Sequence, residues 1–101
     1  MVVEVALIDV QTGKEDEFAA AYVEVQEHLA TAPGCVSATM MRGVESPSRF
    51  VGVVRWESPE AHLTNFRNTP RYERYAARLG RLLAGPPVVE HFTVVDGAPS
   101  L

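Results

Sequence analysis

The residues best suited to chemistry lie at one corner of the chain, where Trp56 is followed six positions later by His62. Trp56 is the only tryptophan, and its indole combines a large apolar face with a single N–H donor. An imidazole such as that of His62 can take or give a proton near neutral pH. The pair could hold an aromatic ring and remove a proton from it. Trp56 could equally seal a core, and His62 could lie on the solvated side of a short helix.

The corner joins a strand that ends near Trp56 to a helix that follows Ser58-Pro59. The Ser58 hydroxyl can accept a hydrogen bond from the first exposed amide groups of the helix. Pro59 has no N–H to leave unpaired at the first helical position. The sequence therefore predicts a sharp, rigid turn that carries a large aromatic ring.

Further side chains are candidates for the walls of a pocket. His28 borders the apolar stripe of the predicted first helix, and Tyr72 and Tyr75 lie three residues apart on the last helix. The two tyrosines could roof a cavity with their hydroxyl groups or pack in the core. His91, on the last predicted strand, is more typical of a buried or interface histidine.

Composition excludes several classes of protein. The 101 residues suffice for one domain with one core, and the formal net charge of −4 disfavours a nucleic-acid partner. No apolar run approaches the roughly 20 residues of a membrane span, and the first ten residues lack the basic start of a signal peptide. We therefore expect a cytoplasmic protein with no membrane partner. The chain has a single cysteine, Cys35, and its sequence contains no metal-ligand or cofactor motif. We therefore expect it to bind neither a metal nor a cofactor.

Hydrophobic periodicity and turn signals divide the chain into strands and helices. Runs rich in β-branched residues predict strands, apolar spacings of three and four predict helices, and Pro or Gly ends them. The predicted strands are 2–10, 35–42, 49–57 and 88–95, and the predicted helices are 14–32, 58–68 and 69–84. This β-α-β-β-α-β order, with a broken second helix, predicts an α+β, ferredoxin-like fold with a four-stranded antiparallel sheet. Residues 1–101 are expected to form one domain, with a core of about 2–95 and a loose tail at 96–101.

The predicted third strand is apolar on both faces. Alternation places Gly52, Val54 and Trp56 on one face and Val51 and Val53 on the other. Helices can cover only one of these faces, and a second copy of the sheet would cover the other. We therefore expect a face-to-face homodimer.

Several motifs along the chain point to a known family. They are Pro33-Gly34-Cys35, Trp56-Glu57-Ser58, Glu60-Ala61, Asn65-Phe66, Pro70 and Gly85-Pro86-Pro87. Together they resemble the antibiotic biosynthesis monooxygenase domain over nearly the whole chain. The resemblance implies a dimeric α+β barrel that oxidises a small aromatic substrate, a phenol, hydroquinone or quinol, with dioxygen and without a cofactor. It leaves open a non-catalytic barrel that binds a hydrophobic ligand, and an isomerase or cyclase on the same fold.

The resemblance also implies which residues form the site. Trp56 matches the strand tryptophan that lines the site in actinorhodin-type members of the family, and His62 replaces their tyrosine. Both are predicted to be catalytic, with His62 as a base. Gly52 replaces an asparagine of those members, so an amide that could orient a substrate is missing. The predicted substrate-binding residues are Gly52, Phe66, Tyr72 and His28.

Overall fold

Residues 1–97 are described by the computed structural model, which contains four strands, three α-helices and two shorter helical turns. A π-helical turn at Leu63–Arg67 follows α2, and a 3₁₀ turn at Gly80–Leu82 follows α3. The strands and α-helices are β1 Val2–Asp9, α1 Glu15–Ala30, β2 Cys35–Arg42, β3 Arg49–Trp56, α2 Pro59–His62, α3 Pro70–Leu79 and β4 Val88–Phe92. Of the predicted tail, residues 98–101 lie outside the described part of the chain.

The strands form one antiparallel sheet in the order β2-β3-β1-β4. This order confirms the predicted ferredoxin-like fold, with the first and third strands in the centre. The prediction that β4 extends to residue 95 is wrong. Val3 of β1 pairs with Phe92, and β1 begins only one residue earlier, so the chain beyond Phe92 has almost no neighbouring strand to bond to.

The corner after β3 has the predicted cap but a different helix. The Ser58 hydroxyl accepts a hydrogen bond from the amide of Ala61 at 3.1 Å, and Pro59 occupies the first helical turn. Regular α-helix ends at His62, and the next five residues widen into the π-helical turn. The widened turn places Phe66 in the core beneath the sheet, where it is 3% exposed.

The inner face of the sheet and the helices enclose the core. The predicted alternation of β3 is confirmed, because Phe50, Gly52, Val54 and Trp56 are all buried on this face. Phe18 of α1 packs against Phe50 with ring centroids 4.7 Å apart. None of the helices in residues 1–97 combines the length and the apolar character that crossing a membrane requires.

The outer face of the sheet has no covering layer within the described chain. Leu7, Met41, Val88 and Phe92 are between 47% and 55% exposed. Their side chains share this face with Val51 and Val53 of the central strand β3, by strand alternation and the observed register. This apolar surface is where the predicted homodimer would form, and the dimer stays a prediction.

The loop before β2 packs against the corner after β3 and is hydrogen-bonded to it. Gly34 has φ +88°, and a Cβ built on it would lie 2.7 Å from the Cβ of Ala61. The Gly34 carbonyl accepts a hydrogen bond from the amide of Glu57 at 2.9 Å, and the Asn65 side chain donates to the carbonyl of Pro33 at 2.7 Å. Motif residues far apart in the sequence therefore form one contact, which fixes the position of α2 relative to the sheet.

Candidate functional site

A cavity of about 660 Å³ lies between the inner face of the sheet and the helices. Ligand pockets in proteins commonly measure about 300–1,000 Å³, so this volume suits a small organic molecule. The walls are mainly apolar and aromatic, and include Phe18, Tyr22, Phe66, Tyr72 and Tyr75. Phe66 is packed edge-on by Tyr72 and Tyr75, with ring centroids 5.6 and 5.3 Å away. Such a surface can hold a flat ring by stacking and by edge contacts.

One part of the cavity wall is polar and consists of Glu4, His62 and His91. His62 Nδ1 lies 2.8 Å from His91 Nε2, which is a hydrogen bond between the two rings. On its other side, His62 Nε2 lies 3.4 Å from Glu4 Oε1. The three groups thus form a row, with His62 in the middle. Glu4 and His62 are 8% and 5% exposed, whereas His91 is an exposed residue.

The three side chains come from three elements that the fold brings together. Glu4 of β1 is directly opposite His91 of β4 in the antiparallel register. His62 is the last residue of α2, so the Ser58 cap and the Gly34 contact determine where its ring lies. The ring stacks on Trp56 with centroids 5.1 Å apart and an interplanar angle of 21°. One face of the ring and both of its nitrogens are therefore constrained.

The electrostatics of the row follow from its burial. Burial, with smaller effects from His91 and Arg67, lowers the pKa of His62 to about 4. His62 is therefore neutral at physiological pH and has one N–H to share between two neighbours. Burial raises the pKa of Glu4, and the hydrogen bond from Trp56 and the proximity of His91 lower it in part. A carboxyl group with a raised pKa is a stronger base than an exposed one.

Trp56 lies behind the cavity wall. It is 0% exposed, and the residues that line the cavity do not include it. Its indole N–H donates to Glu4 Oε1 at 2.8 Å, so this hydrogen bond is not free for a substrate oxygen. The expectation that Trp56 packs against the substrate thus differs from the geometry, because Glu4, a residue of the neighbouring strand, takes up the single indole donor.

The structure separates the other predicted site residues into two groups. Gly52, Phe66 and Tyr72 line the cavity, as does the predicted base His62. His28 is half-buried on α1 and is not among the lining residues, and its carbonyl oxygen accepts a hydrogen bond from Arg71 at 3.3 Å. Its neighbour Leu29 is 4% exposed and lines the cavity at that turn of α1.

Glu4 is a site residue that the sequence does not reveal, and for His91 the sequence predicts only a buried or interface position. For Glu4 a signal was present, since it alternates with Ala6 and Ile8 on the inward face of β1. A carboxylate at an inward strand position requires a partner. The identity of that partner depends on the pairing of β1 with β4, which joins residues 87 positions apart in the sequence.

The fold and the sequence both have counterparts among known proteins. A crystal structure from Bordetella bronchiseptica, assigned to the antibiotic biosynthesis monooxygenases, has a TM-score of 0.89 and 32% identity, covering 93% of this chain and 96% of that one. SnoaB, a cofactor-independent oxygenase from Streptomyces nogalater, has a TM-score of 0.83 and 22% identity over 98% of this chain and 97% of that one. At that identity the likeness to SnoaB concerns the fold alone.

Sequence relatives extend the comparison. The uncharacterized protein YczJ of Bacillus subtilis is 29% identical over 92 residues, which is 91% of this chain and 97% of YczJ. A 42.8 kDa protein in the whiE locus of Streptomyces coelicolor is 33% identical over 54 residues, but these are 54% of this chain and only 14% of that protein. The sequence profile named antibiotic biosynthesis monooxygenase matches residues 1–78. With its fold, its motifs and this match, the chain belongs to the antibiotic biosynthesis monooxygenase family.

Proposed function

We propose that this protein is a cofactor-independent monooxygenase that oxidises an electron-rich aromatic substrate, a phenol, hydroquinone or related quinol precursor, with dioxygen. The observation that carries the proposal is the position of a histidine pair, backed by a buried carboxyl group, in the wall of a cavity that is otherwise mainly apolar. Membership of the family and the fold shared with SnoaB, an oxygenase that works without a cofactor, support the same reaction class.

The reaction needs little from the protein beyond a base and a dry pocket. Loss of the phenolic or enolic proton gives an anion that can donate electrons to dioxygen by itself. For an anthrone, the ring carbon gains one oxygen atom and loses two hydrogens, and the second oxygen leaves as water. The substrate supplies all the electrons, so the atoms and charges balance without a metal or flavin. The proton taken by the histidine pair is returned when water is formed.

The apolar walls have a definite role in this scheme. They exclude water and hold the substrate ring beside the histidine pair. Burial raises the pKa of Tyr75, so its hydroxyl remains protonated and can donate a hydrogen bond to a substrate oxygen. His91 is exposed and lines the cavity, so it is a base that the substrate can reach. Trp56 takes part by holding the Glu4 carboxyl in place.

Oxygen uptake with anthrone in chelator-treated buffer tests the proposal. We expect uptake by the unmodified protein and a loss of roughly 10²–10⁴-fold in His62→Asn and His91→Asn, the range for removal of a general base. His28→Asn is the matched control, because it removes a histidine that does not line the cavity. An uptake rate that is the same in the His62→Asn, His91→Asn double variant and in the control would exclude the assigned site.

An isomerase that moves a proton on a conjugated ketone is the second candidate. It is favoured by the same row of groups, since all three members exchange protons and a proton shift needs no oxygen. Product formation from a substrate library under strictly anaerobic conditions separates it from the oxygenase. A hydrophobic ligand that stays bound in native mass spectrometry, together with no turnover under aerobic or anaerobic conditions, would instead indicate a non-catalytic binding barrel.

A further inference from the structure

We infer that Glu4, His62 and His91 form a proton relay, in which His91 takes the substrate proton at the cavity and Glu4 stores it in the protein interior. The inference deepens the proposed function and rests on it for the identity of the substrate as an acidic phenol or enol. It gives Glu4 and His91, to which the sequence assigns no role, a part in the reaction, and it gives the proton path a direction.

The direction follows from the order of the three groups in the row and from their exposure to solvent. His91 is exposed, whereas His62 and Glu4 are 5% and 8% exposed. The Nε2 atom of His91 is bonded to His62, which leaves Nδ1 as the ring nitrogen that can accept a proton. His91 is thus the member at the exposed end of the row with a ring nitrogen left to accept the substrate proton, and the carboxyl lies two links further along the row.

The resting protonation pattern follows from the contacts of Glu4. Its Oε1 accepts from the indole of Trp56, a group that can only donate, and also faces His62 Nε2 at 3.4 Å. A proton on His62 Nε2 makes this second contact attractive. Neutral His62 then has a bare Nδ1, which accepts the N–H of His91 Nε2 at 2.8 Å. One tautomer of each ring satisfies all of these contacts at once.

The transfer moves one proton along each link. The substrate O–H proton passes to His91 Nδ1, the His91 Nε2 proton passes to His62 Nδ1, and the His62 Nε2 proton passes to Glu4. Both imidazoles end neutral, Glu4 becomes a carboxylic acid, and the substrate becomes an anion. No net charge is created in the apolar cavity, because the negative charge moves from Glu4 to the substrate. The 3.4 Å link is long for a hydrogen bond and is expected to shorten when the ligand binds.

Two properties of the row favour the carboxyl as the final acceptor. Desolvation raises the pKa of Glu4, so a proton is held there more strongly than on an exposed glutamate. The low pKa of His62 disfavours an imidazolium at the central position, so His62 passes the proton on and does not keep it. Glu4 and His62 are therefore suited to different steps of the same transfer.

The resting pattern can be tested in the ligand-free protein by ¹⁵N NMR of the histidine rings near neutral pH. The relay requires His62 and His91 to be protonated at Nε2, with both Nδ1 atoms bare. A proton on Nδ1 of His62 would overturn the inference, whatever substrate the protein uses. This measurement needs no turnover, so it is independent of whether the protein is an oxygenase.

The transfer itself can be tested with 4-nitrophenol, whose anion is coloured. We expect the unmodified protein to bind 4-nitrophenol as the anion. In Glu4→Gln, the ratio of anion to neutral phenol in the bound ligand should equal the ratio in the buffer. Glutamine retains an oxygen that accepts the Trp56 hydrogen bond but cannot store the proton. Glu90→Gln, which removes the carboxylate next to His91 on the outer face of β4, is the control and should match the unmodified protein. Equal anion fractions in Glu4→Gln and Glu90→Gln would refute the relay.

Oxygen uptake with anthrone separates the two proposals. Glu4→Gln is expected to lower it roughly 10²-fold, and adding His62→Asn to that variant should cost little more, because both changes break one path. If the rate loss of the Glu4→Gln, His62→Asn double variant equals the product of the two single losses, Glu4 and His62 act separately, which would contradict the relay. Anion formation without any oxygen uptake would refute the oxygenase and leave the relay standing.

Discussion

Replacement of His62 should remove a specific acid sensitivity of the fold. The pKa of His62 is lowered from 6.5 to about 4 in the folded protein, mainly by burial. In the unfolded chain the ring takes up a proton as the pH falls below 6.5, while in the folded protein it does not. The unfolded state therefore binds more protons between about pH 6.5 and 4, and acid destabilises the folded state in this window.

The magnitude follows from the size of the shift. One pKa unit corresponds to about 1.4 kcal/mol, so the full shift from 6.5 to about 4 is worth at most about 3.5 kcal/mol of unfolding free energy. At about pH 4.5 most of this loss has occurred, which corresponds to a fall of roughly 1–2.5 M in the urea midpoint. Glu4 acts in the opposite direction, because its raised pKa lets the folded protein keep a proton that the unfolded chain has lost. Of the other charged neighbours, His91 and Arg67 both disfavour protonation of His62.

Urea unfolding at about pH 7 and about pH 4.5 measures the effect. The unmodified protein should lose stability on acidification, and His62→Phe, which keeps a ring against Trp56, should lose less or none. His28→Gln removes an imidazole whose residue is half-buried outside the cavity and should behave as the unmodified protein does. If the change in urea midpoint between the two pH values is the same in His62→Phe as in the unmodified protein, His62 is not the source of the acid sensitivity.

Two further predictions concern the frame around the site. Gly34→Ala should lower the free energy of unfolding by roughly 2–4 kcal/mol in urea, because Gly34 has a positive φ and its Cβ position lies 2.7 Å from the Cβ of Ala61. Gly13→Ala, at φ +91° with open space around it, should cost only about 1 kcal/mol, and equal losses in the two variants would show that the Ala61 contact is unimportant. Leu7→Glu on the outer face of the sheet should give a monomer in light scattering at micromolar concentration, whereas Val23→Glu on α1 should leave a dimer; a monomeric unmodified protein would contradict the predicted dimer.

Local rules made the corner after β3 predictable. The serine cap, the proline that follows it and the alternation of β3 all depend on residues within a few positions of one another. The same rules did not reveal the π-helical turn, because Leu63–Arg67 has the spacing of an ordinary amphipathic helix. They also overextended β4, because Val94 and Val95 favour a strand by type, while the end of pairing is set by where β1 begins.

The candidate site was less predictable than the fold because it depends on register between distant segments. Alternation alone assigns Glu4 to the inward face of β1, but it does not say which residue of β4 lies opposite. The observed register places His91 there. A shift of one residue would put Glu90 or Phe92 beside Glu4, and the row of proton-exchanging groups would be lost.

The register of β1 with β3 also explains what Trp56 does in this chain. Glu4 pairs with Val54, so Trp56 is its diagonal neighbour on the same face of the sheet. A carboxylate at that distance takes the indole N–H, and the indole in turn holds the oxygen that faces His62. In a relative with an apolar residue at the position of Glu4, the same tryptophan would keep its donor free for a substrate. The residue of β1 that is diagonal to the tryptophan, here Glu4, therefore determines whether the tryptophan contacts the substrate or positions the group that receives the substrate proton.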